Sequence, residues 1–176
     1  MTYKPAVVRT MNWDPAKTSR EVLLNREWIV TNGLGGYASG TVSGAITRRY
    51  HGLLIAALAA PLGRVVMWNH VSESLRFENK DVISLGGEER AGGQLDLQGA
   101  GYLREFRLED GMPVWTYRVH DLVLEKRVIL PHLQNTVHVS YHILEGTSRP
   151  RLELRPAFHF RHHDIPVNKG DRKSVV

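Results

Sequence analysis

The chain of 176 residues contains no cysteine. That excludes a disulfide framework and any thiolate metal site, and it agrees with a reducing compartment. Also missing is any apolar run approaching the roughly 20 residues of a membrane helix, the longest being the small-residue region from Gly52 to Pro61. Met1 to Thr10 carries Lys4 and Arg9 but no apolar stretch of the kind a signal peptide requires. These absences lead to the expectation of a cytoplasmic protein without a membrane partner. Acids are missing from one long segment, since neither Asp nor Glu occurs from Trp28 to Ser72.

What is present reads as a globular chain, 42% hydrophobic and 23% charged, of a length suited to one domain with an ordinary core. A formal charge of +5 would suit nucleic acid if it were concentrated, because neutralised phosphates supply most nonspecific affinity. From Glu73 onward, however, Lys and Arg are interleaved with acids, as in "REFRLED" and "LEKR". A mixed solvated surface is therefore expected, and no nucleic-acid partner. The final "DRKSVV" does not continue the pattern before it. Residues 171–176 are expected to be a non-native read-through tail, leaving 1–170 as the domain.

Short β-branched, leucine and aromatic runs separated by Gly, Pro, Asn and Asp predict strands near 27–31, 36–44, 52–58, 64–69, 71–77, 81–85, 94–98, 102–109, 112–120, 122–130, 136–144 and 151–160. Phe106 and Leu108 alternate with Glu105, Arg107 and Glu109, Asp110-Gly111 signals a tight hairpin, and Trp115, Tyr117 and Val119 alternate on the return. Leu122, Leu124, Val128 and Leu130 continue the meander, with Lys126 interrupting their face. Asp14-Pro15 before "AKTSREVLLN" supplies an N-cap and a first-turn proline for one brief helix. The fold class is all-β, an antiparallel β-sandwich with at most one short N-terminal helix.

The glycine-rich "TNGLGGYASG", Thr31 to Gly40, follows a predicted strand, and Gly33, Gly35 and Ala38 match the Gly-x-Gly-x-x-Gly/Ala spacing of dinucleotide-binding loops. That chemistry needs a helix to point its N-terminus at the pyrophosphate and an acid about 20 residues on for the ribose. Gly40 and Gly44 with the β-branched Thr41, Val42, Ile46 and Thr47 disfavour a helix, and the acid-free segment removes the ribose ligand. No nucleotide cofactor is expected.

"TRRYHG", Thr47 to Gly52, sets two guanidinium groups, a phenol and an imidazole side by side. As a strand it would place Arg48 and Tyr50 on one face and Arg49 and His51 on the other. Planar donors beside aromatic faces suit a sugar or a carboxylate. Equally, one Arg pairs with a carboxylate to fix a turn while Tyr50 packs.

"REWIVTNGLGGYASGTVSGAITRRYHGLLIAAL" and the following "PLGR" resemble the opening of the N-terminal domain of bacterial and archaeal type glycogen debranching enzymes, the amylo-α-1,6-glucosidase family. The agreement runs through Arg26, Glu27, Trp28, Thr31 to Tyr37, Ser39-Gly40, Thr47 to Leu54 and Gly63-Arg64, and "DGMPVWTYRV", "LEKRVIL", "NTVHVSYHI" and "LELRP" extend it to about residues 20–164. The resemblance implies a β-supersandwich that precedes an α/α-barrel, with hydrolysis of α-1,6-linked branch-point glucose carried by acids of that barrel. This chain is then a fragment without catalytic residues, its partners being α-glucan, through the full-length enzyme, and the missing C-terminal barrel. Asn32, Arg48, Arg49, Tyr50 and His51 are the candidate substrate-binding residues, chosen for their polar clustering beside the glycine-rich loop. The alternatives are an autonomous carbohydrate-binding module, presenting Trp68 or Trp115 as a platform, and a purely structural docking domain. Both tryptophans alternate with apolar neighbours, as core residues do.

Glycoside hydrolysis needs paired carboxylates. Glu73, Glu78, Asp81, Glu88 and Glu89 read as solvated, and Glu105, Glu109, Asp110, Glu125 and Glu153 as outward residues in cross-strand pairs. Glu27 opens the family signature and has a capping or Arg-pairing role open to it. "HFRHHD", His159 to Asp164, offers imidazoles and a carboxylate to a metal, but a strand would set Arg161 on the face of His159 and His163. No metal and no other cofactor is expected.

Overall fold

The computed structural model describes residues 5–17, 19, 21–90 and 94–165. In chain order the first strands are β1 (Val7–Asn12), β2 (Glu27–Thr31), β3 (Tyr37–Thr41), β4 (Gly52–Ala57), β5 (Arg64–Arg76), β6 (Val82–Ser84) and β7 (Glu88–Arg90). Then come β8 (Gln94–Asp96), β9 (Leu103–Glu109), β10 (Met112–Val119), β11 (Leu122–Ile129), β12 (His138–Glu145) and β13 (Arg151–His162). One sheet runs β1-β9-β10-β11-β12 and the other β13-β5-β4-β3-β2, with β6 added to β5, while β7 and β8 pair by themselves. Every pairing is antiparallel.

Period-two alternation makes the core. In β10, Trp115, Tyr117 and Val119 are buried while Arg118 is exposed; in β2, Trp28 and Val30 turn inward and Ile29 outward. Trp115 is the centre of the interior, edge-on to Trp28 at 5.4 Å and to Phe106 at 5.2 Å. Buried indoles need acceptors, and each finds a carbonyl: Trp115 Nε1 donates to Val42 O (2.9 Å), Trp28 Nε1 to Thr41 O (3.2 Å) and Trp13 Nε1 to Ala100 O (2.9 Å). The predicted Asp110-Gly111 hairpin is present, with φ of 49° and 80°, the two left-handed residues a type I′ turn demands.

Three expectations are corrected. The predicted strands 64–69 and 71–77 are one, β5, whose register against β4 and β13 is broken by bulges. Asp14 closes a local turn by accepting from Ala16 N at 3.0 Å, and the helix spans only Glu21–Leu24; Thr18 and Arg20 of the predicted helix lie outside the described residues, as does the 171–176 tail. Glu73 is not solvated: it is 3% exposed between the sheets, where Lys126 Nζ meets its Oε1 at 2.6 Å and the Tyr141 hydroxyl donates to the same oxygen. Lys126 lies over the Trp115 ring, 5.2 Å from its centre. The polar interruption of the β11 face is thus one half of an inter-sheet ion pair.

On the opposite face of the first sheet, Arg107 reaches Glu105, Glu109 and Glu125 at 2.8, 2.6 and 2.6 Å. The outward cross-strand pairing is as expected, and within the network Glu109 and Glu125 are buried. Arg127 joins them at 2.7 and 3.0 Å. Desolvation opposes the Arg107 charge, and the carboxylates around it outweigh that, so the guanidinium is held charged above its ordinary range. No helix among the described residues is long and apolar enough to cross a membrane.

Candidate functional site

The outward residues of β2 and β3 begin the site. Glu27 and Ile29 leave the sheet on one side of the pairing and Tyr37 and Ser39 on the other, with Ile29 opposite Ser39. Inward, Gly40 lies beneath Trp28, where an added Cβ would stand 3.4 Å from the indole. After Val42, which stays in the core, the chain turns back and brings Tyr50 against this outer face. Thr41 Oγ1 donates to Ala45 O at 2.8 Å, Gly44 turns at φ 85°, and His51 N closes a turn on Arg48 O at 3.0 Å. Tyr37 Oη and Ser39 Oγ both donate to Tyr50 O, at 3.2 and 3.1 Å. The strand alternation expected for Arg48 to His51 therefore gives way to a turn: Arg48, Arg49 and Tyr50 are exposed and His51 is wholly buried. β3 already has its ladder partners in β2 and β4, so this segment satisfies its backbone through tight turns and side chains instead.

Between the fold-back and β2 lies a hollow of about 240 Å³, bordered by Glu27, Ile29, Tyr37, Ser39, Tyr50 and His51. Arg48 Nε donates to Glu27 Oε1. His51 Nδ1 accepts from Thr47 N at 3.4 Å, which assigns the ring proton to Nε2. That Nε2 is buried with no hydrogen-bond partner among the described residues and lies 3.8 Å from Glu27 Oε2, too far for a direct bond. Burial holds the imidazole below its ordinary pKa, against the opposing pull of Glu27, and burial likewise raises the Tyr37 phenol. Both groups are therefore neutral donors near pH 7. Tyr50 stands edge-on to His51 at 5.5 Å and leaves 40% of its own surface open.

Of the five residues singled out from the sequence, Tyr50 and His51 meet at the hollow and Arg48 reaches it through Glu27. Arg49 is exposed, and its carbonyl accepts from Arg161 Nη2 at 2.6 Å. Asn32 belongs elsewhere. Fully buried, it accepts from Leu34 N and Gly36 N at 3.0 Å each and donates to Gln134 O and Asn135 Oδ1 at 2.7 and 3.1 Å. Its amide is used completely in tying the glycine-rich turn to the segment after β11. Sequence reasoning missed Tyr37 and Ser39 as site residues and left the role of Glu27 open. The i, i+2 spacing of Tyr37 and Ser39 in a strand carries that signal, as does the register that faces β3 with β2.

Among the described residues Glu27 is the one carboxylate bordering the hollow, so they do not assemble there the pair that glycoside hydrolysis uses. A platform formed by Trp115 is ruled out by its 3% exposure. Trp68 packs against the core, with Phe158 tilted over it at 6.0 Å and its Nε1 on His70 O at 2.9 Å.

Fold and site together define the class, a two-sheet antiparallel domain carrying a polar and aromatic surface hollow. A family model described as "Glycogen debranching enzyme N terminal" matches residues 26–175, and the chain belongs to that family. No curated protein and no solved structure matches the chain.

Proposed function

We propose that this chain is the non-catalytic N-terminal unit of a cytoplasmic enzyme that hydrolyses α-1,6 branch-point glucose in glycogen or limit dextrin, and that the hollow beside β2 and β3 holds a glucose unit of the glucan. The observation that carries the reading is the unpartnered Nε2 of His51, 3.8 Å from Glu27 Oε2. A hydroxyl within reach of both accepts from the imidazole, which has no other partner among the described residues, and donates to the carboxylate. The open face of Tyr50 supplies apolar contact for a pyranose ring. Titrating the chain with a branched limit dextrin in a calorimeter tests this. Tyr50→Ala lowers the affinity about tenfold, equivalent to about 1.4 kcal/mol. Equal affinity for the variant and the unaltered chain rejects the hollow.

A second reading, a domain that only docks on the catalytic barrel, has its own support. Ile143 and Leu144 on β12 and Leu154, Phe158 and Phe160 on β13 are exposed, the last at 69%. β12 and β13 are edge strands of the two sheets, and large exposed apolar groups along such edges mark contact surfaces. On this reading Phe158→Ser/Phe160→Ser abolishes association with a separately expressed barrel of a family member, while Tyr50→Ala leaves it intact.

A further inference from the structure

The sequence objection to a cation at "HFRHHD" rests on a strand running through His163. β13 ends at His162 instead, and residues 163–165 turn. The turn is closed by Ile165 N on His162 O and anchored by His163 N on Arg64 O, both at 3.1 Å. Arg161 is committed to carbonyls, Nη2 to Arg49 O at 2.6 Å and Nη1 to Ile165 O at 2.7 Å. What the turn brings together is His162, His163 and Asp164, one ligand-capable atom from each lying within 4.8 Å of the others. The two imidazole rings are 5.0 Å apart. His162 Nδ1 and Asp164 Oδ1 stand at 2.5 Å, and His163 Nδ1 is buried without a partner among the described residues.

We propose that His162, His163 and Asp164 bind one divalent transition-metal ion. Two imidazoles and a carboxylate are the donor set of Zn²⁺, and of Ni²⁺ or Cu²⁺, whereas Ca²⁺ and Mg²⁺ require shells of oxygen. The proton between His162 Nδ1 and Asp164 Oδ1 is displaced by the ion. The two atoms then open from 2.5 Å to roughly 3.4 Å, the separation of neighbouring tetrahedral ligands each about 2.1 Å from one zinc. The side chains of His162 and Asp164 are 41% and 60% exposed, so rotation about their own bonds suffices. Three protein ligands leave a fourth position to water. Through Arg161 the same turn is tied to Arg49 O, so the ion braces the end of β13 against the fold-back that covers the hollow.

Calorimetric titration of the chelator-stripped 176-residue chain with ZnCl₂ at neutral pH tests the site. The expected result is saturation at one ion per chain, with binding lost in His162→Ala/His163→Ala and weakened in Asp164→Asn by at least the roughly 10- to 100-fold that loss of an outer-shell partner costs. His70→Ala and His159→Ala leave it unchanged. Absence of saturable binding, or the same isotherm in the double variant, overturns the proposal. Should that variant fail to fold, NMR of the unaltered chain decides. Ring-proton shifts confined to His162 and His163 and complete at one equivalent uphold the site; shifts spread across the nine histidines overturn it.

Discussion

Replacing Lys126 by methionine leaves the Glu73 carboxylate between the two sheets without its ammonium partner. The pair is closed at 2.6 Å, with the two side chains 10% and 1% exposed, so neither charge recovers much water when the other is removed. Removing one member of such a pair costs about 3–5 kcal/mol. The Tyr141 hydroxyl still donates to Glu73 Oε1, which places Lys126→Met toward the lower end of that range. Replacing both residues, as Glu73→Leu/Lys126→Met, also removes the desolvation cost, a change worth up to about 4 kcal/mol of stabilisation. Against it stands the Tyr141 hydroxyl, left without its acceptor at a cost of about 1–3 kcal/mol. The double variant should therefore lie within about 3 kcal/mol of the unaltered chain and above Lys126→Met in stability. Urea unfolding followed by circular dichroism gives all four corners of the cycle at one pH. A single-variant cost below about 1 kcal/mol, or a double-variant cost equal to the sum of the singles, would refute the account of the pair as a buried, mutually dependent unit.

Asn32→Ala strips four hydrogen bonds from a fully buried amide, so unfolding stability should fall by at least about 2 kcal/mol, while glucan affinity per folded molecule is unchanged; weakened affinity at full stability would make Asn32 a ligand. His51 is held below its ordinary pKa by burial, so the unfolded chain binds the proton more readily and stability falls as pH drops through about 6.5. His70, lowered for the same reason, adds in the same direction. In His51→Gln, unfolding measured between pH 5.5 and 7.5 should show a shallower slope, and an unaltered slope would count against the buried neutral imidazole. Asp121 accepts from the backbone and hydroxyls of Thr147 and Ser148 at 2.5–3.1 Å, which lowers its carboxyl. Its contribution is present above about pH 3.8 and lost on acidification below it. Asp121→Asn should speed amide hydrogen exchange at Thr147 and Ser148 at neutral pH and flatten that acid dependence; unchanged exchange would show the link to be held by other contacts.

The sandwich was legible because its strands alternate cleanly and its hairpins use the residues their turns demand. Asp110-Gly111 and the inward set Trp115, Tyr117, Val119 are the plainest cases. β1 was not legible: Val7-Val8-Arg9-Thr10 has no period-two pattern, since the strand is almost wholly exposed and is ordered by its ladder to β9. Glu73 and Lys126 misled for a related reason. Each looks like a solvated charge in its own strand, and only the stacking of the two sheets supplies the partner. At the site, the polar cluster from Arg48 to His51 was visible as composition. The backbone turn that buries His51 and exposes Tyr50 depends on hydroxyls of Tyr37 and Ser39, 13 and 11 residues earlier, whose facing is set only by the β2–β3 pairing. Asn32 shows the converse, a polar residue in a family signature whose groups are all used in holding a turn.

The most direct measurement is chemical-shift mapping of the isotopically labelled chain during titration with a branched maltooligosaccharide. Saturable changes should centre on Glu27, Tyr37, Ser39, Tyr50 and His51, with the His51 Nε2 proton among the most affected and Asn32 unmoved. Saturable changes centred elsewhere, or none at millimolar glucan, would contradict the assignment of the hollow to sugar.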